Sequence, residues 1–219
     1  MSTMRVATGN ALATTIVAAT LALLPLPASS APADDSDIAV HVVKDGPEIS
    51  VVVDFAVDAP ANVAWDVLTD YDHMADFVSN VEASRIQQRD GDRLQVYQKG
   101  KATRGPLTFG FENVRAVELV PQKAIHSRMI SGDLKASEFS TRIVAGGGQV
   151  RIVNQGRYTP KIWVPPVIGP ALIEAETRKQ FGEIRAEMLR RSKLQASSGQ
   201  TRPLAGESAA PSPLAQPVN

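Results

Sequence analysis

From Pro165 to Lys193 the apolar side chains Ile173, Phe181, Ile184 and Met188, with Thr177 between them, recur in steps of four and three. That spacing places them on one stripe of an α-helix and predicts a long amphipathic helix with a single buried face. Glu174, Arg178, Lys179, Glu183, Arg185, Glu187 and Arg190 take the opposite, water-facing side. Pro170 after Gly169 suits a first turn, Ser197-Ser198-Gly199 suits a stop, and Arg190, Arg191 and Lys193 suit the negative pole of the helix dipole. Such a helix is about 36 Å long and needs a partner of matching size.

The hundred residues before it alternate with period two instead. Ile38 to Val43 and Ile49 to Val57 read as strands around a turn at Lys44-Asp45-Gly46-Pro47; Ile49, Val51, Val53, Phe55 and Val57 share one face. At Asp58-Ala59-Pro60 the period lengthens. Asp58 is a candidate cap, Pro60 fits a first turn, and Val63, Val67, Leu68 and Tyr71 line a helical face that ends at Asp70-Tyr71-Asp72-His73. A second helical piece, Met74 to Val78, follows. Further strands are predicted at 82–88, 93–99, 107–120, 124–131, 138–144 and 149–158, with loops at Gly100 to Pro106 and Gly132 to Lys135; short connections make neighbours antiparallel.

The two ends differ from this core. Residues 1–33 carry one charge, Arg5, then the apolar run Ala11 to Leu24 and the small-residue segment Ala31-Pro32-Ala33. That order predicts a secretory signal cleaved after Ala33, hence a secreted or periplasmic protein; 14 residues fall short of the roughly 20 a membrane span needs. Residues 195–219, rich in Ser, Pro and Ala, predict a disordered tail, leaving one domain at 34–194. The balance of 23 basic and 23 acidic residues gives no pull toward nucleic acid. With no cysteine in the chain, thiol nucleophiles and disulfides are excluded.

The string Ala-Pro-Ala-Asn-Val-Ala-Trp-Asp-Val-Leu-Thr-Asp-Tyr-Asp (59–72), with Phe77-Val78-Ser79-Asn80-Val81 and Ser84-Arg85, resembles the opening of the START-like, or helix-grip, superfamily in its polyketide cyclase/dehydrase and coenzyme Q-binding branch. Gly132-Asp133 after a strand, Tyr158-x-Pro160 and Val164-Pro165-Pro166 before the last helix are similar to the same branch. The resemblance, over residues 38–192, implies an α+β fold. A curved antiparallel sheet of about six to seven strands would wrap around the C-terminal helix, with two short helices after the first strand and a hydrophobic tunnel between sheet and helix.

A tunnel would be lined by the apolar parity of each strand, and polar residues caught on that parity are informative. On 107–119 the odd positions run Leu107, Phe109, Phe111, Asn113, Arg115, Val117, Leu119, so an amide and a cation fall on the inward side. Unpaired burial of either costs several kcal/mol, which implies a wet cavity, specific partners, or a bulge near Asn113 that turns both outward. Asn154 and Tyr158 fall on the inward parity of the last strand, and Met129, Phe139, Thr141, Phe181 and Ile184 complete the expected ligand-binding set. A mixed wall of this kind suits a mostly apolar guest with one polar end.

Other chemistry has little support. Asp70, Asp72, His73 and Asp76 lack metal-ligand spacing and read as an acidic break between helices, so no metal and no cofactor is expected. No G-x-S-x-G, H-E-x-x-H or glycine-rich phosphate loop occurs. Lys99 to Arg104 reads as a small basic loop. The expected protein is a monomer that binds a lipid, isoprenoid quinone or aromatic metabolite, with transient membrane contact. A cyclase or dehydratase using Arg115 and Tyr158 is the alternative.

Overall fold

A computed structural model describes residues 37–104, 107–146, 149–161, 164 and 169–200; the side chains of 102–104, 107, 109, 199 and 200 lie outside that description. The expected signal at 1–33 and the tail beyond residue 200 also lie outside the described residues. Eight strands, β1 (Ala39–Asp45), β2 (Glu48–Val57), β3 (Val81–Asp90), β4 (Arg93–Arg104), β5 (Leu107–Val120), β6 (Ala124–Gly132), β7 (Leu134–Gly146) and β8 (Gln149–Pro160), form one antiparallel sheet in the order β1-β2-β8-β7-β6-β5-β4-β3. The helices are α1 (Ala61–Leu68), α2 (Met74–Phe77) and α3 (Gly169–Gln200), with a 3-10 turn at Tyr71–His73.

This is the helix-grip arrangement, with eight strands rather than six to seven. β2 pairs with β8 as well as with β1, so the N-terminal hairpin joins the meander instead of standing apart, and the short helices follow that hairpin rather than a single first strand. The loop expected at Gly100 to Pro106 is largely strand. β4 runs on to Arg104, with Lys101 opposite Gly110 and Arg104 opposite Leu107, because backbone pairing does not require apolar side chains. Likewise β7 begins at Leu134, leaving only Asp133 between strands.

In β2 and β8 the alternation that predicted the strands is the burial pattern observed. Val51, Val53, Phe55 and Val57 of β2 and Val150 and Ile152 of β8 join Ile184 and Met188 of α3 in one core, with Ile173 and Phe181 packed against it. Phe181 meets Phe55 edge-on, ring centroids 5.9 Å apart. α1 adds Val63, Ala64, Val67 and Leu68. Its first turn opens at Pro60 with no side-chain cap, so Asp58 does not cap it.

Polar contacts along the rim of α3 fasten it in place. Arg178 Nε donates to the Ile38 carbonyl at 3.2 Å, Arg185 pairs with Asp37, and Glu183 accepts from the Ser79 amide at 2.9 Å. The helix runs past its expected stop to Gln200, so Arg190 and Arg191 are not in its last turn. They pair instead with Glu187 at 2.6 to 2.7 Å, and Arg191 also reaches Asp70 at 2.7 Å, whose other oxygen takes the His73 Nδ1 at 2.6 Å. Asp72 holds the same break to β3 by accepting from the Ile86 amide at 2.7 Å. No group of three or more His, Asp or Glu residues among those described is placed to hold a metal ion.

Hydrogen bonds from Arg190, working against burial and aided by Arg191, hold the Glu187 carboxyl below its ordinary 4.5. A lowered carboxyl stabilises the fold above its unfolded value, and the contribution fades as pH falls through the folded one. Glu187→Gln should therefore cost about 2 kcal/mol in denaturant titrations at pH 7, and the difference from wild type should vanish well below pH 4.5.

Candidate ligand-binding site

α3 packs mainly against β1, β2, α1 and α2. The inner faces of β5 to β8 keep accessible surface at Phe111, Arg115, Ser127, Met129, Phe139, Thr141 and Tyr158. Register fixes which residues share that face. Asn113 lies opposite buried Gln98, and Arg115 opposite buried Val96, so both point inward. A bulge does occur here, but on the neighbouring strand. Val114 pairs with Ser131 and Arg115 with Met129, so the extra residue is Ile130 of β6, 50 % exposed, and β5 keeps its parity.

Gly132 and Asp133 make this corner. A Cβ at Gly132 would sit 2.4 Å from the Glu112 carbonyl and 2.7 Å from the Asn113 Cα, and its φ of 139° is one few side chains tolerate. Asp133 accepts from the Glu112 amide at 2.7 Å and returns its own amide to the Glu112 carbonyl at 3.1 Å. The Gly-Asp pair therefore clamps the backbone that carries Asn113.

The inward polar groups divide into satisfied and unsatisfied. Asn154 Nδ2 donates to Thr141 Oγ1 at 2.8 Å, its direct cross-strand neighbour, so these two predicted residues pair with each other. Asn113 is only 6 % exposed and its Oδ1 is buried without a partner, as are Asn80 Oδ1 and Arg185 Nε. Arg115 makes no hydrogen bond or ion pair with any described residue; burial lowers its guanidinium pKa, offset in part by Tyr71 nearby, yet its side chain retains accessible surface. Arg115 is thus a half-buried cation on the inner side of the sheet with no partner among the described residues.

Tyr71, assigned from sequence only to a helix's core face, is the functional candidate that reasoning missed. Its phenol is buried, pushed up to about 12 by that burial against the pull of Arg115, and accepts or donates no hydrogen bond among the described residues. Tyr158, also raised to about 12 by burial, stacks on Phe139 with centroids 6.3 Å apart. The inward aromatics cover glycines. A Cβ at Gly156 would lie 2.4 Å from the Phe139 ring, and one at Gly100 2.5 Å from the Phe111 ring. Phe181 and Ile184 face β2 and the core, Met129 lies beside Arg115, and the side chain of Phe109 lies outside the described residues.

A second depression, about 1000 Å³, lies on the opposite face of the sheet. Its lining alternates with the inward set: Val52, Gln95, Glu118, His126, Arg128, Gln155 and Arg157 are among it. These are exposed or half-buried side chains of both charge signs, an open polar surface rather than an enclosure.

The sequence family described as polyketide cyclase/dehydrase and lipid transport matches residues 57–189, more than half of the chain. The chain belongs to this family. Its fold recurs in solved structures of low identity. A STAR-related lipid transfer protein fragment from Xanthomonas axonopodis is 15% identical, TM-score 0.57, covering 70% of this chain and 94% of its own. Zhui aromatase/cyclase from a Streptomyces species is 15% identical, TM-score 0.56, covering 73% and 99%. A START superfamily protein from Mycobacterium smegmatis is 14% identical, TM-score 0.53, covering 67% and 98%. A comparison with curated proteins finds no match. In this member of the polyketide cyclase/dehydrase and lipid transport family, the inner face of β5 carries the unpartnered Asn113 Oδ1 and Arg115.

Proposed function

We propose that the protein binds a hydrophobic small molecule, such as a lipid, isoprenoid quinone or aromatic metabolite, between the sheet and α3, with the guest's polar end at Asn113 and Arg115. The observation that carries this reading is the buried Asn113 Oδ1 without a partner beside an unpaired, enclosed Arg115. In a filled core such a pair would cost several kcal/mol; a polar group on a guest, or water held with it, removes that cost. The family's description, which includes lipid transport, supports the class of guest. Export directed by residues 1–33, action as a monomer, and transient membrane contact during loading belong to the same proposal.

Native mass spectrometry and solvent extraction of protein recovered from a producing cell's periplasm test it. The expected result is a bound apolar species, and a raised Tm when lipids or quinones are added to emptied protein. Repeated recovery without such a species, together with no Tm change, would overturn it.

A cyclase or dehydratase is the second reading, favoured by Arg115 and the Tyr158 phenol on the inner face of the sheet. A phenol kept protonated and a guanidinium are poor bases at neutral pH but good donors to an oxygen that gains negative charge. On that reading Arg115→Ala and Tyr158→Phe abolish turnover while ligand affinity changes by less than about tenfold, or about 1.4 kcal/mol.

A further inference from the structure

The unsatisfied groups under α3 also specify the guest's charge. Among the described residues, Asp and Glu side chains cluster on the rim of α3, in the break at Asp70–Asp76 and on the outer face, and none bonds to Arg115. Tyr71 is the group that acts on it electrostatically. The other inward polar residues, Gln98, Asn113, Thr141, Asn154 and Tyr158, are neutral. The inner face of the sheet therefore presents one positive charge with no counter-ion among the described residues, carried by a planar fork of N–H donors.

An enclosed cation is costly unless an anion joins it, and a guanidinium matches a carboxylate with two parallel hydrogen bonds. We propose that the guest is a monoanionic amphiphile, an organic acid whose carboxylate is received by Arg115 while its apolar body lies along Phe111, Phe139 and Tyr158. This rests on the binding reading above and narrows it. A neutral sterol or quinone would leave the guanidinium unmatched. A phosphate dianion would carry more charge than the single cation balances.

The same logic gives the pH dependence. Arg115 stays protonated throughout the accessible range, so the titrating partner is the guest, whose carboxyl is ionised above about pH 5. Asp70, Asp72, Asp76 and His73, on the turn that carries Tyr71, face α3 and β3 instead: Asp70 bonds Arg191 and His73, and Asp72 bonds the Ile86 amide. They leave the guest's own ionisation as the controlling step.

Displacement of the neutral dye Nile red by dodecanoic acid, methyl dodecanoate and dodecyl phosphate decides the matter. At pH 7 the acid is expected to compete about tenfold or more better than the methyl ester, and better than the phosphate. In Arg115→Met the ratio of acid to ester should fall to about one. Equal affinity for acid and ester in the wild type, or an unchanged ratio in Arg115→Met, would overturn the proposal while leaving an apolar site intact. Failure of all three compounds and of the dye itself would overturn the binding reading on which it rests.

Discussion

Arg115→Met is expected to raise the stability of the ligand-free protein by about 2 kcal/mol. A guanidinium enclosed without an anion gains nothing from its charge when the hollow is empty, whereas a thioether of similar volume fits the neighbouring Met129 and Val96 without desolvation cost. Denaturant titration of delipidated protein measures it, with a midpoint that moves upward at constant slope. Loss of stability would mean that Arg115 has a structural partner, and that its charge belongs to the fold rather than to a guest. A stabilising substitution at the proposed site would mark Arg115 as a group retained for function.

Gly132→Ala should do the opposite, at a cost of about 3 kcal/mol. The added methyl would press within 2.4 Å of the Glu112 carbonyl, and neither that backbone nor Asn113 can move without opening the β5–β6 pairing. The φ of 139° adds strain of its own. The same shift displaces Asn113, so Nile red binding should weaken along with the loss in stability. Asp133→Asn, which keeps the side chain's size but weakens its bond to the Glu112 amide, should show a smaller version of both effects.

Much of the fold was legible because burial follows periodicity. Of the 173-177-181-184-188 stripe, Ile184 and Met188 are buried in α3 and Ile173 and Phe181 pack against the core, and the period-two runs of β2 and β8 mark the side that meets it. Asn113 and Arg115 were found by the same parity, as polar residues on an apolar row. What a single sequence does not carry is the identity of cross-strand partners. That Asn154 is satisfied by Thr141, that the bulge is spent at Ile130 of β6, and that Phe139 lies over Gly156 all depend on register between strands far apart in the chain.

Tyr71 is buried as its helical face predicts, and its relation to Arg115 was missed for the same reason. Nothing in its local sequence shows that Arg115, on a distant strand, acts on its phenol electrostatically. The continuation of α3 past Ser197-Ser198 was hidden by composition. Both hydroxyls bond back to carbonyls four residues earlier, Ser197 to Lys193 and Ser198 to Leu194 at 2.9 Å, which lets a serine pair ride on a helix.

The inner face of the sheet, rather than the broad depression outside it, is held to receive the guest. Side-chain amides report on both faces at once: Asn113 and Asn154 inside, Gln95 and Gln155 outside. In a titration of ¹⁵N-labelled protein with dodecanoic acid, the amide resonances of Asn113 and Asn154 and the Arg115 Nε–H should shift while those of Gln95 and Gln155 stay in place. Movement confined to Gln95 and Gln155, with Asn113 and Arg115 unchanged, would put the guest on the wrong side of the sheet and contradict the site described.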